Sequence, residues 1–181
     1  LLARLLHEGG IRRVQELFTL AKPSIGSGVA PVVITGGSGF IGSNLAASYL
    51  AEDKDVIILD SLSRPGVDAN LAWLRETHGS RVHTCIADIR DPGQVRDAVQ
   101  DASVVFHLAA QTAVTTSLDR PIDDMEVNVR GTLNVLEAAR AGRRKPGLVF
   151  ASTNKVYGAL EDIETVTTAK CHRPVDPEIA R

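Results

Sequence analysis

The chain has 181 residues, a length that suits one compact domain with or without an extension. A hydrophobic fraction of 44% is too high for a disordered chain, and a net charge of −2 with both signs interspersed argues against a nucleic-acid or membrane surface. No apolar run approaches a membrane span and no signal peptide is expected; two distant cysteines, Cys85 and Cys171, with no Cys-x-x-Cys pair, argue against a metal site or disulfide framework and fit a reducing cytoplasm.

Residues 1–30 read as an N-terminal extension. Leu2, Leu5 and Leu6, then Val14, Leu17 and Phe18, have helical spacing interrupted at Gly9-Gly10, and residues 21–30 are small, with Pro and Gly, as in a linker. This extension is expected to be an upstream remnant without chemistry.

From residue 31 the rhythm changes. Pro31-Val32-Val33-Ile34-Thr35 is a β-branched run that favours a strand, and Phe40 to Ala51 has helical spacing. Asp55 to Asp60 is a second strand, 68–78 a helix, and Arg81 to Ala87 a third strand in which Cys85 reads as a buried thiol. Pro92 to Asp101 is a helix with Asp91 as cap before a first-turn proline, and Ser103 to Leu108 a fourth strand. Residues 121–142 are expected as one long helix ending at Gly142, and Gly147 to Ser152 as a fifth strand.

Strands alternating with helices imply βαβ units and a parallel sheet, and continuous apolar strands such as Val56 to Leu59 imply burial on both faces. Right-handed crossovers then give an α/β doubly wound parallel sheet, a Rossmann fold with strand order 3-2-1-4-5. The expected division is 1–30 extension and linker, 31–160 dinucleotide-binding domain and 161–181 truncated tail.

The spacing Gly36-x-x-Gly39-x-x-Gly42 falls between the first strand and the first helix. Gly36 allows the tight turn, Gly39 lets the backbone approach a pyrophosphate, and Gly42 allows close packing of helix on strand, with the helix N-terminus offering amides to the phosphates. Phe40 and Ile41 complete this turn. No Gly-Lys-Ser/Thr follows, which excludes a Walker-type loop. Asp60, at the end of the second strand, is placed to accept hydrogen bonds from an adenosine ribose and to repel a 2′-phosphate. It favours NAD over NADP, with Arg64 nearby pulling the other way; a solvated strand-end carboxylate is the plain alternative.

Asp88-Ile89-Arg90 follows the third strand. Asp88 is placed either to meet an adenine amino group or merely to cap a turn. His107-Leu108-Ala109-Ala110-Gln111 follows the fourth strand; Leu108, Ala109 and Ala110 let a cofactor lie against the backbone, and His107 reads as a packed histidine. After the fifth strand, Ser152-Thr153 reads either as a hydroxyl beside a nicotinamide site or as a cap.

Taken in order, these motifs with Asn128-Val129-Arg130-Gly131-Thr132 and Ser152-Thr153-x-x-Val156-Tyr157-Gly158 resemble the extended short-chain dehydrogenase/reductases, the NAD-dependent epimerase/dehydratase family, over about residues 31–160. Ser61-Leu62-Ser63-Arg64-Pro65-Gly66, Asn70-Leu71-Ala72-Trp73-Leu74 and Thr115-Thr116-Ser117 resemble its CDP-paratose/CDP-tyvelose 2-epimerase branch. The resemblance implies NAD as cofactor, a nucleotide-sugar substrate, transient hydride transfer at the sugar C2, Thr153 holding the reacting hydroxyl, and a Tyr-x-x-x-Lys pair as general base. It also implies a homodimer through two helices. The helix at 121–142 suits that role, and its apolar face suits the core equally.

The Tyr-x-x-x-Lys pair is not in the sequence. Tyr49 and Tyr157 are followed at the fourth position by Asp53 and Glu161. With Leu1 first and Asp176 to Arg181 last, a cut chain is expected, with the later helices and the substrate lobe missing. Two readings stand: part of a nucleotide-sugar epimerase, UDP-glucose 4-epimerase and dTDP-glucose 4,6-dehydratase chemistry being the neighbouring alternatives, or a non-catalytic NAD-binding module.

Overall fold

The computed structural model describes residues 30–153, 158, 163–167 and 172–176. They fall into two compact units, divided between Ala151 and Ser152. The helical reading of the N-terminal extension, the stretch Asn154 to Tyr157 and Cys171 lie outside the described residues.

The first unit is a five-stranded parallel sheet in the order β3-β2-β1-β4-β5, as the alternating pattern predicts. Its strands are β1 (Val32–Thr35), β2 (Val56–Asp60), β3 (Val82–Ile86), β4 (Val104–His107) and β5 (Gly147–Phe150). Helices α1 (Phe40–Ala51) and α2 (Val67–His78) cover one face, while α3 (Pro92–Val99) and α6 (Thr132–Ala141) cover the other.

The apolar strands need both layers because successive side chains point to opposite faces. Val32, Ile34, Val56 and Ile58 pack with Leu50, Leu71 and Leu74 on one side. Val33, Ile57, Leu59 and Val105 pack with Val95, Val99, Val135 and Ala138 on the other. Asp91 caps α3 as expected, its carboxylate accepting from the Gly93 and Gln94 amides.

The helix expected over 121–142 runs without a gap from Pro121 to Ala141 and is capped at Gly142, but a π-helical segment lies inside it. Helix α4 (Val114–Asp119) precedes Pro121, and α5 (Pro121–Met125) runs through a π-helical segment, Glu126–Gly131, into α6. Pro121 excludes helical geometry at the residue before it, and Arg120 accordingly sits at φ −136°, ψ 65°. The second unit holds a hairpin of β6 (Thr165–Thr167) and β7 (His172–Pro174), paired antiparallel within the stretch read as a tail.

The two halves of the sheet and α6 are tied by a line of buried hydrogen bonds. Thr35 Oγ1 accepts from the Leu108 and Ala109 amides, both at 3.2 Å. Its own proton therefore goes to His107 Nδ1, 2.7 Å away. That leaves the proton of the imidazole on Nε2, which donates to Thr132 Oγ1 (2.9 Å), and Thr132 donates to the Asn128 carbonyl (2.6 Å). His107 is 2% exposed, and burial pushes its imidazole below the ordinary 6.5. The folded chain thus binds this proton less readily than the unfolded chain, so stability is kept above pH 6.5 and declines as the pH falls below it. Denaturant titrations between pH 7.5 and pH 5 (~2.5 units spanning the unfolded His value) should show this decline, with a shallower slope for His107→Gln.

Candidate functional site

An open groove of about 280 Å³ runs along the carboxyl ends of the strands, where ligands of open α/β sheets bind. Gly36, Gly39, Asp60, Asp88, Ile89, Leu108, Ala109 and Ala110, all singled out in the sequence, line it together. Phe40, Ile41 and Gly42 do not. Phe40 and Ile41 stand exposed in the first turn of α1, and Gly42 is buried beneath the turn. Thr153 is exposed and belongs to the second unit, whereas every lining residue belongs to the first.

The glycines divide by what forbids a side chain. Gly36 has φ +68°, and a Cβ there would stand 2.8 Å from the Ala109 amide nitrogen. A Cβ on Gly42 would meet the Gly36 carbonyl oxygen at 2.4 Å. Gly39 differs: its backbone is extended, and a Cβ would meet only the Gly36 oxygen, at 3.2 Å. That contact is less severe than at Gly36 or Gly42, though the Gly36 carbonyl would still have to give by a few tenths of an ångström, and Gly39 lines the groove as the residue just before α1. No side chain caps that helix and no acid lies in its first turn, so its leading amides are left for an anion. These features fit the pyrophosphate of a dinucleotide.

Asp60 also works for the fold. Its Oδ2 accepts from the Ser38 amide at 3.0 Å and its Oδ1 from the Leu62 amide at 2.9 Å. The second bond holds Leu62 at φ +52°, a left-handed turn that a branched side chain rarely adopts. Asp88 is clamped by Arg90, whose Nε and Nη2 donate to its two oxygens at 3.0 and 2.6 Å and whose amide adds a third bond. The guanidinium beside it holds the Asp88 carboxyl below the usual carboxylate range. Both Asp60 oxygens and Asp88 Oδ2 retain a further lone-pair direction for a ligand, whereas Asp88 Oδ1 already accepts two bonds.

Ile89 is set by α6 and the π-helical segment. Its carbonyl accepts from Asn134 Nδ2 at 2.9 Å, and its side chain lies where a Cβ on Gly131 would be, 2.5 Å from Ile89 Cδ1. The Gln111 loop is set by Asn128, which accepts from the Gln111 amide and donates to its carbonyl, both at 2.9 Å. The Asn128-Val129-Arg130-Gly131-Thr132 motif therefore supports two groove walls from behind.

Ser61, Ser63, Arg64, Arg90, Gln111, Thr112 and Val127 also line the groove without having been assigned to it. Arg64, Arg90 and Gln111 sat inside stretches already noticed; Val127 and Thr112 carried no signal beyond adjacency. Among the described residues no cluster of His, Cys, Asp or Glu is arranged for a metal ion, and no helix is long and apolar enough to cross a membrane.

The model of the NAD dependent epimerase/dehydratase family matches residues 32–177. The chain belongs to this family. It is 44% identical over 146 residues to CDP-paratose 2-epimerase of Salmonella typhi, covering 77% of this chain and 42% of that protein. It is 35% identical over 150 residues to dTDP-glucose 4,6-dehydratase of Mycobacterium tuberculosis, covering 81% and 44%. Among solved structures it is similar to the UDP-glucose 4-epimerase of Thermus thermophilus in complex with NAD, with TM-score 0.61, 36% identity and 83% and 46% coverage. It is similar also to UDP-glucose-4-epimerase from Stenotrophomonas maltophila with bound NAD and formylated UDP-arabinopyranose, with TM-score 0.64, 28% identity and 72% and 39% coverage. The chain spans about two-fifths of the length of the relatives it matches.

The glycine geometry sets a first expectation. Gly42→Ala should destabilise the fold by about 1–3 kcal/mol, as overpacking does, whereas Gly39→Ala should cost less than about 1 kcal/mol. Thermal unfolding of the two variants checks the contrast, and equal losses would remove the ligand-facing role from Gly39.

Proposed function

We propose that the chain is the NAD-binding portion of a nucleotide-sugar epimerase acting at C2 of a CDP-linked sugar. The single observation behind the cofactor assignment is the groove, which brings the Gly36–Gly39 turn together with the strand-end carboxylates Asp60 and Asp88. The sugar assignment rests on the similarity to CDP-paratose 2-epimerase and on the Ser61 to Gly66 stretch.

NAD, when bound, supplies a hydride acceptor that returns the hydride to the same carbon. In this reading the Gly36–Gly39 turn and the leading amides of α1 hold the pyrophosphate. Asp60 accepts from the adenosine ribose through its remaining lone pairs, and its charge disfavours a 2′-phosphate. Asp88 and Ile89 bound the adenine, and Leu108, Ala109 and Ala110 supply a flat backbone wall. Thr153, matched to its place in the family motif, holds the reacting hydroxyl.

Neither tyrosine has a lysine four residues on, so the sequence supplies no activated phenol as base. The 181-residue chain is therefore expected to bind the cofactor without turning over substrate, a general base being worth about 10²–10⁴-fold in rate. Calorimetry should detect NAD binding that weakens in Asp60→Ala, and a coupled assay with CDP-hexoses should detect no epimerisation. Unchanged affinity in Asp60→Ala would sink the ribose assignment; measurable turnover would sink the binding-only reading.

A homodimer is part of this proposal. While Val135, Ala138 and Ala139 of α6 enter the core, Leu118, Ile122, Met125, Val129, Leu133 and Leu136 remain exposed along α4 to α6. A stripe of that extent suits an interface. Sedimentation should give a dimer for the wild-type chain and a monomer for Leu133→Lys.

A further inference from the structure

Arg64 leaves the loop after β2 and reaches the loop after β4. Its Nη2 donates to the Ala110 carbonyl at 3.2 Å and to Thr112 Oγ1 at 3.0 Å. Strands β2 and β4 flank β1 on opposite sides, so a side chain joining their loops passes over the turn that follows β1. Arg64 lines the groove with Gly36 and Gly39.

The charge of this guanidinium is not neutralised within the groove. Its two partners are a carbonyl and a hydroxyl, and among the described residues no carboxylate forms an ion pair with it. The two carboxylates of the groove are engaged elsewhere, Asp60 with the Ser38 and Leu62 amides and Asp88 with Arg90. Both bonds across the groove use Nη2 alone, leaving Nε and Nη1 as further donors of a planar fork suited to phosphate oxygens. Asp60 directs the Leu62 turn from which Arg64 departs.

We propose that Arg64 is a phosphate-pairing strap, closing over the pyrophosphate of the bound dinucleotide from the side opposite the α1 N-terminus. This rests on the reading of the groove as a dinucleotide site. The rival partner for an arginine on this loop is a ribose 2′-phosphate. Position argues against it: the guanidinium ends beside β4, across β1 from Asp60, which is where the ribose is read.

The test is calorimetry on the 181-residue chain with adenosine, ADP-ribose, NAD and NADP as probes. Arg64→Gln should weaken ADP-ribose and NAD by about tenfold or more, as loss of a charge-assisted contact does, and leave adenosine within about twofold. Salt should weaken ADP-ribose binding less in the variant than in the wild type. Thr112→Ala, which removes an anchor of the strap but keeps its charge, should retain the pyrophosphate probes within about twofold. Equal loss of adenosine and ADP-ribose, equal loss in Thr112→Ala, loss confined to NADP, or no loss overturns the proposal. A wild-type chain that binds none of the four probes overturns the groove reading itself, and the strap with it.

Discussion

Backbone meets backbone at the head of β1, and the site depends on that contact. A Cβ on Gly36 would collide with the amide of Ala109, and one on Gly42 with the carbonyl of Gly36. Because these two positions are bare, α1 starts directly behind the turn and β4 ends directly beside it. The groove follows from this closeness.

A second constraint works from below. Thr35, His107 and Thr132 form a chain in which each proton has one place to go, and it ends on the carbonyl of Asn128. The Asn128 side chain then holds the main chain of Gln111, and Gly131 makes room for Ile89. One buried imidazole, its pKa lowered by burial, thereby joins the middle of the sheet to the two walls of the groove. The rim charges Arg64 and Arg90 rest on that frame through Ala110 and Asp88.

Local chemistry was legible where it repeats. The strands from Val32 and Val56 announce themselves by β-branched apolar runs, those from Val82, Val104 and Gly147 by shorter apolar stretches between helices, and the cap Asp91 before Pro92 announces α3. Eight of the lining residues were legible for the same reason, since glycine spacing and strand-end carboxylates mark a crevice. Arg64 and Thr112 were not legible as a pair, because their meeting depends on two loops distant in sequence. The hairpin of Thr165–Thr167 and His172–Pro174 is short, and its strand positions at 165–167 are exposed, so no apolar alternation marks it. The π segment within 121–142 escaped because apolar spacing looks alike in α and π turns over one or two turns of helix.

That π segment also alters how the chain tolerates a change of length. In an ordinary α-helix, removing one residue rotates everything beyond it by about 100°, which here would swing Val135, Ala138 and Ala139 away from the sheet and bring Leu133 and Leu136 round in their place. The π turn of Glu126–Gly131 holds slack of about one residue. A deletion inside it can be absorbed by tightening to α geometry, leaving the phase of α6 unchanged. What such a shortening would spend is the spacing of Asn128 and Thr132, so the helix would keep its seat on the sheet while the groove lost its backing.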